Sequence, residues 1–536
     1  MNVDEGDSMP ENSLSPFGNP EGARADLEEV ARGFVDFGDH LVWKGLATKP
    51  NDLRARVFVG KKGSGKTLYL RRAHDFVAAQ QDNLYAGSIN DNAPLTQEII
   101  RISRFFKKHE LRETWCQLWR KAIIRSAVSH IINNEILVSQ VGDKLCCSFR
   151  SNYSEILYDT EETRYPSGIF DELGSILQKN FTRNSILKYV TNTKWGQLET
   201  EVAIALKKCK PVCLYMDGID DHFQHAPMYW LECQIGLFNA IMSLLRDQNL
   251  GGRLHVTVAI RDVVRLKILQ TEHNLRNFEE EHIRVLKWDV RSISYLLSEK
   301  VKKLNNELFH SYDGSKSINS WLGLSEFENK KRNKKEKIES YLLRHTRLLP
   351  RDVVTMGNVL CQELQRLKWF PEVYTLPEAI KRGVSFAARE FGKEQLQICG
   401  THLATDMSPT KFEHKDYEKF LGTDEYKANL ADKIKAYISS FKKDRFTRSV
   451  LLRQEELAKE YFDEGSDIIN VLWLNGMLGY ADSSDNSGIV VFYSDDGGPE
   501  FKLPRDKKEY AFHSCLIDAT GIQPSGNPVL QQGVIL

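Results

Sequence analysis

The chain has 536 residues, too many for one core, and its 41% hydrophobic and 27% charged residues are the balance of an ordinary folded protein of about three domains. Lys plus Arg and Asp plus Glu both number 73, so no global field draws the chain to nucleic acid or to an anionic membrane, and any polyanion site must be a local patch. Nine Cys without CxxC pairs read as small buried side chains in a reduced, cytoplasmic compartment. No apolar run approaches the roughly 18 residues of a membrane span.

In chain order, residues 1–24 are acidic and rich in Pro, Ser and Asn. They lack a basic n-region and an apolar core, so they read as a disordered leader and not as a signal peptide. Residues 25–290 read as an α/β domain. A helix is expected from about Ala25 to Leu46, with Leu27, Val30, Phe34 and Val35 at helical spacing. A strand at Arg54–Val59 precedes a glycine-rich loop and a helix at Thr67–Ala79, whose Leu70, Ala73, Phe76 and Val77 share one face. A mostly helical insertion, about 90–207, carries Trp115, Leu118 and Trp119. Strands follow at Val212–Met216, Leu254–Ile260 and Ile283–Leu286, with a helix at Tyr229–Leu245. This alternation predicts a P-loop NTPase fold, a three-layer parallel α/β sheet.

Residues 291–425 read as a helical lid, broken by the basic run Lys330-Lys331-Arg332-Asn333-Lys334-Lys335-Glu336-Lys337, taken as a solvated loop. Residues 426–536 change character. Short helices are expected at Glu455–Phe462 and Asp467–Leu474, with Gly476 in the left-handed position that ends the second. Strands follow near Leu478–Ala481, Ile489–Tyr493 and Tyr510–His513. Two helices and then a hairpin is the pattern of a winged helix.

The loop Gly60-Lys61-Lys62-Gly63-Ser64-Gly65-Lys66-Thr67 matches G-x-x-x-x-G-K-[ST] completely, between a predicted strand and a predicted helix. Gly60, Gly63 and Gly65 let the backbone curl so that N–H groups, that of Ser64 included, face phosphate oxygens, and the helix N-terminus adds partial positive charge. Lys66 reaches the β- and γ-phosphates, and Thr67 ligates Mg²⁺. A nucleoside triphosphate follows, with ATP as the working choice, although these residues do not separate adenine from guanine. Asp217, at the end of the Val212–Met216 strand, would hold Mg²⁺ through water; the alternative is a loop Asp capping the next helix.

These motifs resemble the STAND class of P-loop ATPases, close to NACHT proteins and to AAA+ initiators of the origin-recognition type. The pattern after the second buried strand, Asp217-Gly218-Ile219-Asp220-Asp221, is similar to that of NACHT proteins. Ordinary AAA+ proteins place Glu directly after the Mg²⁺ aspartate, where this chain has Gly218. The resemblance therefore assigns activation of water to Asp220 or Asp221 and implies slow hydrolysis. It makes Arg261, after the Leu254–Ile260 strand, a sensor of the γ-phosphate; a surface Arg is the alternative. It places Arg347, Pro350 and Arg351 on the nucleotide from the lid; the alternative is a helix start with Pro at its first position. It implies an ATP-driven switch that controls a separate effector protein in bacterial anti-phage defence, with homo-oligomers possible in such a class.

Other groups carry less. His222 and His225 flank the acidic turn and, with Asp220 or Asp221, have metal-ligand chemistry, but hydrogen bonding within a polar loop is the commoner use. The recognition-helix candidate, Asp467–Leu474, has no Lys or Arg, and the wings hold Asp482, Asp485, Asp495, Asp496 and Glu500, which repel a phosphate backbone. Lys442, Lys443, Arg445 and Arg448 keep an initiator-like DNA-binding ATPase as the alternative reading.

Overall fold

The computed structural model describes residues 15–22, 24, 57–90, 95–157, 166–219, 227–250, 252–271, 282–330, 332–406, 424–462, 466–481, 489–493 and 502–531. The helix expected at 25–46, Asp220, Asp221, His222, His225 and the acidic wing residues lie outside them. The chain divides into two compact units. Among described residues, 57–286 belong to one, and 15–24, 287–406 and 424–531 to the other.

The first unit is built on β1 (Val57–Gly60), β2 (Tyr85–Asn90), β3 (Val212–Met216), β4 (Leu254–Arg261) and β5 (Ile283–Val285). They form one sheet in the order β2-β3-β4-β1-β5, and every pairing in it is parallel. β1, β3 and β4 are buried along their whole length, as continuous apolar runs in a covered parallel sheet should be. Helix α1 (Lys66–Ala78) packs on β1 to β4 through a face that includes Tyr69, Leu70, Ala73 and Val77. Strand β2 was not expected. Its sequence, YAGSIN, contains Gly and Ser instead of a β-branched run, and its register shifts between Ala86 and Ile89. As the edge strand it needs a partner on one side only.

The insertion is helical: α2 (Thr96–Arg104), α3 (Lys108–Asn133), α4 (Glu135–Val141), α5 (Asp143–Asn152), α6 (Ser154–Leu157), α7 (Ile169–Lys179), α8 (Arg183–Val190) and α9 (Lys194–Lys208). Its spine is α3, packed on α10 (Pro227–Arg246), with Trp119 Nε1 donating to the Cys233 carbonyl at 2.9 Å. A short helix, α11 (Asp262–Thr271), follows β4.

The second unit begins with α12 (Val290–Lys302) and α13 (Ile318–Leu322). Next come β6 (Glu326–Asn329) and β7 (Lys334–Lys337), an antiparallel pair, and then α14 (Ile338–Leu343). Long helices α15 (Pro350–Trp369) and α16 (Leu376–Asp406) pack together. After α17 (Asp424–Ser440) come β8 (Arg445–Thr447), α18 (Arg448–Tyr461), α19 (Ile468–Leu474), β9 (Leu478–Ala481), β10 (Ile489–Phe492), β11 (Glu509–Phe512), α20 (Cys515–Thr520) and β12 (Leu530–Gln531). The strands form a sheet in the order β12-β10-β9-β11-β8. Gly476, with φ of 68°, follows α19 in the left-handed conformation.

Two expectations are corrected in this unit. The basic run is not a solvated loop. It forms the turn and second strand of the β6–β7 hairpin, with Arg332 and Glu336 buried. Arg332 pairs with Asp444 and donates to the carbonyls of Ser525 (2.6 Å) and Asn527 (2.9 Å), while Glu336 takes a two-pronged bond from Arg344. Buried partners far along the chain override a locally polar composition. The leader reading also fails for residues 15–22, because Phe17 is 1% exposed.

Among the described residues, no helix is long and apolar enough to cross a membrane. All nine cysteines are free, none in a disulfide.

Candidate functional site

The Gly60–Thr67 loop leaves the C-terminal end of β1 and runs directly into α1. Gly63 and Gly65 take φ values of 90° and 93°, a region closed to most side chains. The Ser64 amide donates to the Lys61 carbonyl at 3.1 Å, which tightens the curl. Gly65 caps α1 without a side-chain acceptor, and no carboxylate stands in the first turn. The helix therefore opens on backbone N–H groups and partial positive charge. Lys66 is buried and its Nζ is held over the loop, donating to the carbonyls of Gly60 (3.0 Å) and Lys61 (3.2 Å). Thr67 follows it, half-buried.

The sheet order brings other predicted residues to the same edge. β4 lies between β1 and β3, and Gly60 is in register with Arg261. Asp217 follows Met216, which pairs with Val258. Asp217 is thus level with Ala259 and Phe58, two residues short of Gly60 and Arg261. Asn90 ends β2 opposite Met216 at this edge as well. Sequence reading passed Asn90 over because β2 itself carried no strand signal. The chain crosses from β4 over β1 to β5, so the loop sits where the strand order reverses, the place where open parallel sheets bind ligands.

The donor set suits a hard divalent cation. A Thr hydroxyl and an Asp carboxylate are oxygen ligands of the kind Mg²⁺ takes. Among the described residues there is no group of three or more His, Cys, Asp or Glu able to hold a metal by themselves. A site of one or two protein oxygens completed by phosphate and water needs none.

Arg347, Pro350 and Arg351, expected to reach the nucleotide from a lid, belong to the other unit and are engaged there. Arg347 is 5% exposed. Its Nη2 lies 2.7 Å from Asp352 Oδ1 and 2.8 Å from Glu394 Oε2, its Nε donates to Asp352 Oδ2 at 3.0 Å, and its Nη1 donates to Gln395 Oε1 at 3.2 Å. Pro350 is the first residue of α15, the helix start held open as the alternative. Arg351 Nη1 reaches Glu394 Oε1 at 3.2 Å.

The basic stretch around β8 is divided. Lys442, Lys443 and Arg448 are exposed, but Arg445 is buried, with Nη1 2.8 Å from Glu509 Oε2 and Nε donating to the Asn527 carbonyl at 2.9 Å. All seven residues of α19 are buried.

Compared with protein-family models, curated proteins and solved structures, the chain gives no match.

Proposed function

We propose that the chain is an ATP-binding, slowly hydrolysing switch that controls a separate effector protein, in the anti-phage setting that its STAND-like motifs imply. The observation that carries this reading is one edge of one sheet: the Gly60–Thr67 loop at the end of β1, with Arg261 and Asp217 at the ends of the next two strands. In this reading the loop amides and the α1 N-terminus hold the phosphates, and Lys66 exchanges its loop carbonyls for phosphate oxygens. Thr67 and Asp217 would hold Mg²⁺, which when bound offsets charge on the phosphates. Arg261 senses the terminal phosphate.

Hydrolysis is slow because Gly218, with φ of 72°, follows Asp217 and has no side chain to hold the attacking water. That role passes to Asp220 or Asp221, later in the sequence, and loss of alignment costs about a hundredfold in rate. Turnover well below about one per second is expected from the isolated chain.

The elements from α17 to β11 follow the order of a winged helix, here used for packing. A helix buried on all seven residues presents no face to a DNA groove, which weakens the initiator-like alternative.

Lys66→Ala and Asp217→Ala test the site. Both are expected to weaken Mg·ATP binding at least tenfold, read by fluorescent-nucleotide titration, and to abolish effector control. Parental affinity in both variants would remove the site assignment, and intact effector control without ATP binding would make the site structural only. Turnover of many per second, unchanged by Asp220→Asn and Asp221→Asn, would end the slow-switch argument.

A further inference from the structure

Phe17 is the one buried residue of an otherwise polar turn, and the surface that receives it is made for it. The Gly18 amide donates to the Ser15 carbonyl at 2.8 Å, closing a turn with Pro16 and Phe17 at its centre. Gly18 takes a φ of 92°. The Phe17 ring lies 5.1 Å from the ring of Trp321, in α13. On α15, a Cβ added to Gly357 would stand 2.3 to 2.5 Å from three atoms of the Phe17 ring. Only glycine leaves that slot open.

The next residue, Asn358, is 8% exposed. Its Oδ1 accepts from the Phe17 amide at 2.8 Å, and its Nδ2 donates to the Gly18 carbonyl at 3.0 Å. One buried amide thus reads the donor and the acceptor of the turn backbone, as a peptide-binding site does. Gly and Asn are poor helix formers, yet they stand side by side inside a 20-residue helix. Their use is on the Phe17 side: a slot for a ring and a clamp for the backbone beside it.

Asn19, Glu21 and Arg24 are exposed, and the Glu21–Arg24 ion pair is local. The Asn358 amide joins two segments some 340 positions apart in sequence. In sequence, 32 residues, 25–56, separate the Phe17 segment from β1.

We propose that Trp321, Gly357 and Asn358 form a recognition site for a Phe-bearing turn, which the chain's own residues 15–22 occupy in cis as a displaceable latch. The site lies within the second unit and stands apart from the nucleotide reading. A peptide carrying Pro-Phe-Gly in the same turn is the class of ligand that competes for it.

A fluorescein-labelled peptide of residues 12–24 tests this on the full chain. Phe17→Ala vacates the slot, so the peptide is expected to bind this variant at least tenfold more tightly than the parent, whose tethered segment competes at an effective concentration on the order of millimolar. Adding Asn358→Ala is expected to abolish that binding. Hydrogen exchange on the parent gives an independent reading: the Phe17 and Gly18 amides are expected to exchange at least a hundredfold faster than the interior amides of α15. No peptide binding to folded Phe17→Ala, or exchange of those amides at the α15 rate, would make Phe17 a permanent core residue and overturn the latch. If Phe17→Ala does not fold, the exchange experiment decides alone. A parental dimer that Phe17→Ala converts to monomer would place the occupant on a second copy and overturn the cis assignment.

Discussion

Arg347 and Arg351 show how much a shared motif leaves open at the level of single residues. They flank Pro350, the first residue of α15, and the family resemblance gave one or the other to the phosphates. In the structure Arg347 shares Asp352 and Glu394, and Asp352 has no exposed surface. Removing one partner of a buried pair leaves an uncompensated charge, at a cost of about 3–5 kcal/mol. Arg351, with Glu394, is partly exposed, and such pairs contribute less than about 1 kcal/mol. Arg347→Ala is therefore expected to lower the denaturant midpoint strongly, and Arg351→Ala hardly at all. Equal, small effects would show that the Arg347 cluster does not hold the start of α15.

At the level of elements, the hairpin β6–β7 is the instructive case. Its sequence alternates charges with little apolar content, so no strand period stood out, and only Phe327 reads as a core residue. The hairpin is fixed instead by two buried ion pairs, Arg332–Asp444 and Arg344–Glu336, whose partners lie elsewhere in sequence. Arg332→Ala is expected to cost about 3 kcal/mol or more by leaving Asp444 unpaired. Lys334→Ala and Lys335→Ala, both on exposed positions, are expected to stay within about 0.5 kcal/mol. Urea unfolding of the three variants checks this, and a uniform loss across them would return the run to a general charge effect. Elements with their own periodicity were legible: β1, β3, β4, α1 and the pair α18–α19 fall within a few residues of expectation, apart from an earlier start to α18. Strand β2 was not, because an edge strand with Gly and Ser gains its hydrogen bonds only once β3 is beside it.

For the molecule as a whole, two imidazoles make acid stability a measurable consequence of the fold. Burial pushes His130 down to about 4, while its Nδ1 sits 2.8 Å from the Tyr85 hydroxyl. Burial and the nearby Arg344 hold His345 well below the ordinary His range. One lies in each unit. Both groups fold neutral, so the unfolded chain binds more protons below its own pKa of about 6.5. Stability is full above that value and declines as pH falls from about 6.5 toward 4, by about 3 kcal/mol for His130. His130→Gln is expected to flatten that decline in the unit formed by residues 57–286, followed by unfolding at pH 7, 5.5 and 4.5. An unchanged slope would exclude His130 as its source.

By itself, the sequence determined the glycine loop and the buried strands around it. Those features depend on residues next to one another: positive φ at spaced glycines, continuous apolar runs and a helix that starts where the loop ends. It also identified Asp217 and Arg261 as candidates, since each directly follows or ends a buried strand. Tertiary structure decided the strand order that brings Gly60, Arg261 and Asp217 to one edge, because pairing between distant strands is not encoded in any single one of them. It also set the carboxylate partners of Arg332, Arg347 and Arg445 and the slot at Gly357 that Phe17 fills. A charge or a lone aromatic ring has no fixed role until the surface it meets, and the water it loses, are set by residues from a few to hundreds of positions away.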